Sequence, residues 1–232
     1  MLTEPQHKER RLILGSSSPR RRELLPLLGV PFTVRPADVE ETNHVGEAPQ
    51  GMAVRLSQDK AQALLSAGVR DLIVAADTLV ALDGQVLGKP ATPDEALEML
   101  RRLRGRAHTV FSGVTVIDPS SNWQNTALVQ TQVWMRDYSD EEISAYVSSG
   151  DPLDKAGAYA IQYGDFHPVA RVQGCYSNVM GLALCHLYCL LRAAGAAPAQ
   201  TPVAACDGFH QRSCDVAQTI LSCRWPARQG QG

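Results

Sequence analysis

The chain has 232 residues, of which 44% are hydrophobic and 20% charged, and its formal net charge is −2. This length and composition are typical of a globular protein with one large or two small domains. Because the net charge is close to zero, non-specific binding to nucleic acid or to an acidic membrane is not favoured. We therefore expect neither a nucleic-acid polymer nor a membrane as a partner.

The sequence indicates neither membrane insertion nor export. The apolar segment from Gly181 to Leu191 is too short to span a membrane and contains His186. Residues 1–10 form a polar N-terminal extension that lacks the apolar middle of a signal peptide. We expect a cytoplasmic location.

None of the six cysteines forms a CxxC pair. Cys185 and Cys189 lie one helical turn apart in an apolar segment, which in a cytoplasmic chain is typical of buried thiols rather than of metal ligands. The sequence predicts no zinc site.

The first predicted elements enclose a cluster of hydroxyls and arginines. A short strand, Leu12 to Leu14, is followed by Gly15 and then by the run Ser16-Ser17-Ser18-Pro19-Arg20-Arg21-Arg22. Ser18 suits the N-cap of a helix, and Pro19 suits its first position. Arginines in a first helical turn oppose the helix dipole unless an anion neutralises them. The run therefore predicts a phosphate site, although a solvated basic face or a targeting or nucleic-acid patch would also contain such a run.

The following residues predict one α/β domain over residues 11–195. The run Leu72 to Ala76 is typical of a strand buried on both faces, and Asp83-Gly84 between apolar runs predicts a hairpin. Capping patterns at Thr92 and at Ser139 each predict the start of a helix, and Pro26 is expected to end or kink the first helix. Further predicted elements are a helix from Met52 to Leu65, strands at Val114 to Ile117 and around Val129 to Met135, and a last helix from Leu182 to Ala194.

Asp77 is the first candidate for chemistry, because it is expected at the end of the apolar strand. A carboxylate at the carboxyl end of a buried strand lies where ligands bind in open α/β sheets. A turn-forming aspartate on a surface loop is the alternative, but the turn residue here is Asp83. A charged side chain in an apolar run is costly unless it is used or paired, so we favour a functional Asp77.

Other candidates are less specific on their own. Glu40 and Glu41 suit a hard cation such as Mg²⁺, and a solvated acidic loop explains them equally well. Lys60 and Lys89 are ordinary surface lysines unless they lie beside the arginine cluster. Gln162 ends a segment of small residues expected to form a tight loop, and its amide can both donate to and accept from a nucleobase edge.

The two ends of the last helix predict different features. Asn178 and Gly181 bracket the start of this helix, and Asn178 is a candidate cap. After Gly195, the segment 196–232 mixes alanine, proline, glutamine and glycine with scattered cysteines, without a sustained period. It is expected to be a disordered tail.

Five motifs in one order resemble a known family. They are Ser16-x-Ser18-Pro19-Arg20-Arg21, Ala76-Asp77-Thr78, Lys89-Pro90, Asp154-Lys155-Ala156-Gly157-x-Tyr159-x-Ile161-Gln162 and Asn178-Val179-x-Gly181-Leu182. This set resembles the Maf family of nucleoside triphosphate pyrophosphatases, also called septum-formation inhibitors, over residues 11–194.

The resemblance implies metal-dependent hydrolysis of a nucleoside triphosphate to the monophosphate and pyrophosphate. It implies that Asp77 is the proton acceptor and that Arg20, Thr78 and Gln162 set the base preference, here as in the branch that hydrolyses dTTP and UTP. Further residues match positions that line the phosphate and metal site, namely Ser16, Arg21, Glu41, Lys60, Lys89 and Lys155. Ser18, in the same serine run, is also expected to bind substrate, and Glu41 and Asp77 are the expected ligands of a divalent cation, Mg²⁺ or Mn²⁺.

The chain also departs from the family pattern. Tyr163 and Asp165 stand where glycines are usual after the glutamine, and Ala183 replaces a usual proline. Both side chains at the glycine positions would change the loop beside the base.

We expect a mixed, elongated α/β sheet flanked by helices, with two lobes around a nucleotide cleft. A homodimer is compatible with the sequence. A non-hydrolytic nucleotide-binding regulator of cell division and a hydrolase of modified nucleotides are the alternative functions.

Overall fold

The computed structural model describes residues 11–223 and 225. The predicted N-terminal extension, residues 1–10, lies outside them. The strands of the described part are β1 (Leu12–Leu14), β2 (Phe32–Val34), β3 (Leu72–Leu82), β4 (Gln85–Leu87), β5 (Ala107–Asp118), β6 (Trp123–Met135) and β7 (Val169–Gln173). Its α-helices are α1 (Pro19–Leu24), α2 (Pro49–Ser66), α3 (Pro93–Leu103), α4 (Asp140–Ser148), α5 (Tyr176–Met180), α6 (Leu184–Ala193), α7 (Pro202–His210) and α8 (Ala217–Ser222).

The strands form one mixed sheet in the order β2-β1-β3-β5-β6-β7, and β4 pairs with β3. β1 is parallel to β2 and β3, whereas the other pairs are antiparallel. The fold is therefore the expected mixed α/β sheet flanked by helices.

Alternation along the strands buries both faces of the sheet. Leu12, Leu14 and Val74 belong to a core cluster that includes α1 and α6, whereas Ile13 and Ile73 pack with α2 on the opposite face. A separate cluster joins the second half of β3 to α3 and α4. The first half of β3 is thus packed in the clusters around α1, α2 and α6, and its second half in the cluster around α3 and α4.

Short sequence patterns correctly predicted a hairpin turn, a helix start and the end of the first helix. Asp83 and Gly84 both have positive φ, 52° and 77°, as a two-residue hairpin requires. Ser139 forms the predicted capping box with Glu142. The first α-helix ends at Leu24, and a 3-10 turn containing Pro26 follows it.

The prediction that Asp77 ends its strand is wrong. Asp77 lies in the middle of β3 and faces Gly113 of β5. Antiparallel pairing with β5 continues the strand through Ala81, whereas parallel pairing with β1 stops at Val74. Asp77 is therefore beyond the carboxyl end of β1 rather than at the end of its own strand.

Asn178 is not a helix cap. It lies inside α5, and its Nδ2 donates to the Val110 carbonyl at 3.2 Å and to Thr131 Oγ1 at 3.0 Å. These bonds fix α5 to β5 and β6, because a buried amide must find partners within the protein.

The described part of the C-terminal tail is ordered, which corrects the expectation of disorder there. It contains α7 and α8, Cys206 is buried in the main core, and the backbone N–H of Gln200 donates to the Leu28 carbonyl at 3.2 Å. These helices are nine and six residues long, so neither has enough turns to show an apolar period in the sequence. Residues 224 and 226–232 lie outside the described residues.

Within the described residues, no helix combines the length and apolar character needed to cross a membrane.

Gly113 lets α2 approach the sheet closely. A Cβ at this position would lie 2.2 Å from the Ala53 carbonyl oxygen and 2.5 Å from Ser57 Oγ. Both distances are below any real carbon contact, and one of the atoms belongs to the α2 backbone. Glycine therefore sets the distance between α2, which carries Lys60, and the strand pair that carries Asp77.

We predict that Gly113→Ala lowers the free energy of unfolding by about 2 kcal/mol or more, as overpacking does in other cores. Chemical denaturation measures this change. Gly51→Ala on α2, the helix that packs against Gly113, is the control, because its Cβ would meet only Glu47 Cγ at 3.9 Å. The control should be neutral or slightly stabilising, since alanine favours helix. Equal stability of both variants would contradict the close approach at Gly113.

Truncation after Ala194 should lower the melting temperature by at least about 5 °C, because it exposes the apolar surface that α7 and α8 cover. A chain ending at Trp225 keeps every described tail contact and serves as the control. Differential scanning calorimetry of both chains measures the effect. An unchanged melting temperature in the shorter chain would show that the tail contributes no stability.

Candidate active site

A cavity of about 540 Å³ opens between the carboxyl end of β1, the middle of β3 and the loop before β7. The candidate carboxylate Glu40 does not line it. The site residues expected from the family resemblance all do, namely Ser16, Ser18, Arg20, Arg21, Glu41, Lys60, Asp77, Thr78, Lys89, Lys155 and Gln162. The structure thus brings together residues that are up to 146 positions apart in the sequence (162 − 16).

Arg21 is a buried cation held by neutral groups. Its Nε donates to the Gly181 carbonyl at 2.8 Å, its Nη1 to Ser16 Oγ at 3.0 Å and its Nη2 to Thr78 Oγ1 at 3.2 Å. None of these partners, within the described part of the chain, is a carboxylate. Burial lowers the pKa of Arg21, an effect partly opposed by the charge of Asp77, but a guanidinium stays charged.

The serine run forms the loop between β1 and α1. Ser16 Oγ accepts from both the backbone N–H of Ser18 at 3.2 Å and Arg21 Nη1. Ser18 occupies the N-cap position of α1, but its side chain makes no capping hydrogen bond. The Ser16 hydroxyl therefore orients the loop and the arginine together, and Arg20 lines the same cavity.

Lys60 joins the two acidic residues of the cavity. Its ammonium donates to Asp77 Oδ1 at 2.5 Å and to Glu41 Oε1 at 2.5 Å. Lys60 and Asp77 are both buried, whereas the Glu41 side chain is 56% exposed. Burial alone would raise the pKa of Glu41, but the hydrogen bond and charge of Lys60 outweigh burial and hold that pKa below its ordinary value.

Thr78 supports Arg21. Its hydroxyl contacts Arg21 Nη2 and is 2.8 Å from Ser112 Oγ, and Ser112 is its register partner on β5. Ser112 is fully buried and was missed by sequence reasoning. The strand also contains other polar residues, so the serine does not stand out in the sequence, and only the pairing of β3 with β5 shows what it contacts.

Lys155 forms its hydrogen bonds within its own loop. Its ammonium donates to the Asp151 carbonyl at 2.6 Å, to Asp151 Oδ1 at 2.9 Å and to Asp154 Oδ1 at 2.6 Å. An ammonium has three donors, so these contacts use all of them. In this structure Lys155 shapes the loop that ends at Gln162.

The loop before β7 lines the cavity with Tyr159, Ile161 and the exposed Gln162. The Tyr159 hydroxyl lies 2.8 Å from Nε2 of buried His108. Burial lowers the pKa of His108 to about 4, so its ring is neutral at pH 7 and fixes the tyrosine without adding charge.

The structure explains the tyrosine at position 163, where the family usually has a glycine. Its ring packs against Tyr146 of α4, with ring centroids 4.7 Å apart. The side chain thus joins the second core cluster beside the loop.

Comparison with known proteins matches residues 11–194 to the model of a family described as Maf-like protein. The chain belongs to the Maf family. A dTTP/UTP pyrophosphatase of Myxococcus xanthus is 47% identical over 184 residues, which cover 79% of this chain and 92% of that protein. A dTTP/UTP pyrophosphatase of Geobacter metallireducens is 44% identical over 186 residues, 80% of this chain and 97% of that protein.

Among solved structures, the Ham1 protein of Staphylococcus aureus aligns with 66% of this Maf chain and 88% of its own chain. The TM-score is 0.40 and the identity 16%, a similarity too remote to add to the family assignment.

The acidic residues of this Maf site fit a hard divalent cation that also contacts substrate. Asp77 Oδ2 is buried and has no hydrogen-bond partner among the described residues. No group of three or more His, Cys, Asp or Glu side chains in the described part forms a complete metal cage. Mg²⁺ commonly takes one or two carboxylates and completes its shell with phosphate oxygens and water. Asp77 with Glu41 matches that chemistry.

Proposed function

We propose that this Maf-family protein hydrolyses dTTP and UTP to the nucleoside monophosphate and pyrophosphate. Arg21 carries the proposal, because a buried guanidinium bonded only to neutral acceptors stabilises a polyanion in the same cavity. The similarity to the Myxococcus xanthus dTTP/UTP pyrophosphatase supports the same substrate class.

The triphosphate would lie against Arg21 and Arg20, with Lys89 at the mouth of the cavity. Lys60 holds Asp77 Oδ1, so the lone pairs of the unpartnered Oδ2 would serve both the cation and the proton of the attacking water. The water oxygen forms a bond to the α-phosphorus, the bond from that phosphorus to the bridging oxygen breaks, and pyrophosphate leaves. Positioning and charge stabilisation would supply most of the acceleration.

A divalent cation, Mg²⁺ or Mn²⁺, would be held by Asp77 and Glu41. When bound, it offsets negative charge on the phosphate oxygens. Lys60 already binds one oxygen of each carboxylate, so it keeps both side chains directed into the cavity.

Gln162, which lines the cavity from the loop before β7, would recognise the base. Its amide presents both a donor and an acceptor, as a pyrimidine edge requires. Thr78 would contribute through Arg21, to which its hydroxyl is already bonded. A cytoplasmic location and a homodimer stay predictions from the sequence.

Asp77→Asn should reduce kcat by about 10²-fold or more, because the amide keeps the shape but loses the basicity and charge of the proton acceptor. A pyrophosphate-release assay measures this, and calorimetry with a noncleavable dTTP analogue should show that binding is largely retained. Asp83→Asn, in the hairpin away from the cavity, is the control. Full activity of Asp77→Asn would rule out the role, and no pyrophosphate release by the wild type would favour a non-hydrolytic regulator.

The wild type should prefer dTTP and UTP over ATP and GTP by at least about tenfold in kcat/KM, or about 1.4 kcal/mol. Gln162→Glu should reduce this preference, because a carboxylate lacks the amide donor. Gln130→Glu, at an exposed position of β6 that does not line the cavity, should leave the preference unchanged. Kinetics over a panel of common and modified triphosphates decides the point. Equal hydrolysis of purine triphosphates would reject the pyrimidine assignment, and a large preference for a modified nucleotide would favour the alternative substrate class.

A further inference from the structure

All six cysteines lie where the C-terminal tail meets the domain. Cys175, Cys185 and Cys189 belong to the domain, whereas Cys206, Cys214 and Cys223 belong to the tail. Thiols of both parts lie at their contact: Cys206 of the tail is buried in the main core, and Sγ of the domain residue Cys189 lies 3.9 Å from the Ile220 carbonyl of α8, whereas Cys223 is exposed. Thiols therefore lie on both sides of the contact between the tail and the domain.

Four of these thiols surround one small cavity. It has a volume of about 20 Å³ and is lined by Cys175, Cys185, Cys206 and Cys214, with His210 and Arg212 beside them. The Ser177 hydroxyl is 3.2 Å from Cys175 Sγ and also interacts with Cys206. These side chains do not form a metal site in the described residues.

The four thiols differ in access. Cys175, Cys185 and Cys206 are buried, and only Cys214 is half-exposed. Burial raises the pKa of Cys175 and raises that of Cys206 to about 12, so these thiols stay protonated and react slowly. An oxidant from solution therefore meets Cys214 first, and Cys175 lines the same cavity.

We propose that this cavity is an oxidation site at which a peroxide closes a disulfide between Cys214 of the tail and Cys175 of the domain. The Cys214 thiolate attacks one peroxide oxygen and the O–O bond breaks, which forms a sulfenic acid on Cys214. The hydroxide released takes up the proton that the thiol lost and leaves as water. The Cys175 thiol then attacks that sulfur and passes its proton to the departing hydroxide, so that the S–O bond breaks and a second water leaves. Two thiols are oxidised and one peroxide is reduced to two waters. The disulfide ties the tail covalently to the domain.

Peptide mapping of the full chain tests the proposal. The reduced protein is treated with hydrogen peroxide, free thiols are blocked with iodoacetamide, and trypsin separates peptides 172–192, 193–212 and 213–224. The expected product joins 172–192 to 213–224, and tandem mass spectrometry places the link at Cys175 and Cys214. Cys214→Ser should abolish the product, whereas Cys223→Ser, in the same peptide but outside the cavity, should retain it.

Thermal melting provides a second readout, independent of nucleotide hydrolysis. Oxidised wild type should melt about 5 °C or more above the reduced protein, since the link closes a long loop in the unfolded chain. Cys214→Ser should lose this shift. Persistence of the cross-linked peptide in Cys214→Ser, links only between separate molecules, or failure of peroxide to link Cys175 would each overturn the proposal.

Discussion

The buried guanidinium of Arg21 is the interaction on which the site depends. A cation removed from water is costly unless hydrogen bonds or an opposite charge compensate it. Here three separate parts of the chain supply acceptors: the loop after β1 through Ser16, the middle of β3 through Thr78, and the end of α5 through Gly181. These acceptors take three of the five N–H donors and do not neutralise the charge. The fold thus keeps a positive charge in the cavity for an anionic ligand.

The second constraint is the distance between α2 and the sheet. Gly113 faces Asp77 on the neighbouring strand and allows the backbone of Ala53 to approach. Lys60 lies two helical turns further along α2, which brings its ammonium to Asp77 and Glu41. Gly113, opposite Asp77, therefore determines whether Lys60 can reach that carboxylate. The ion pair of the site depends on the close packing at this glycine.

Sequence patterns predicted the parts of the fold that depend on neighbouring residues. The hairpin at Asp83-Gly84 and the helix start at Ser139 follow from local backbone preferences. Family motifs predicted which residues gather around the cavity. Such motifs are recognised by their residues and their order along the chain, whatever the number of residues between them. The central position of Asp77 in β3 escaped prediction, since pairing with β5 involves residues more than thirty positions away.

Contacts across the chain explain the other differences. Asn178 resembles a cap in the sequence, but its amide bonds to β5 and β6. The tail helices are too short to show a period, and their order comes from packing on α6 and on the turn after α1. The four thiols around the tail cavity are likewise distant in sequence, so their meeting could not be inferred from spacing alone.

The affinity of Arg21→Lys for a noncleavable dTTP analogue tests the central claim most directly. Lysine keeps the charge but cannot replace the three directed donors, and arginine and lysine are not equivalent at such sites. Calorimetry should show at least about a tenfold loss of affinity, or about 1.4 kcal/mol. Arg22→Lys, at the exposed neighbouring position, should bind as the wild type does. Undiminished binding by Arg21→Lys would contradict the account.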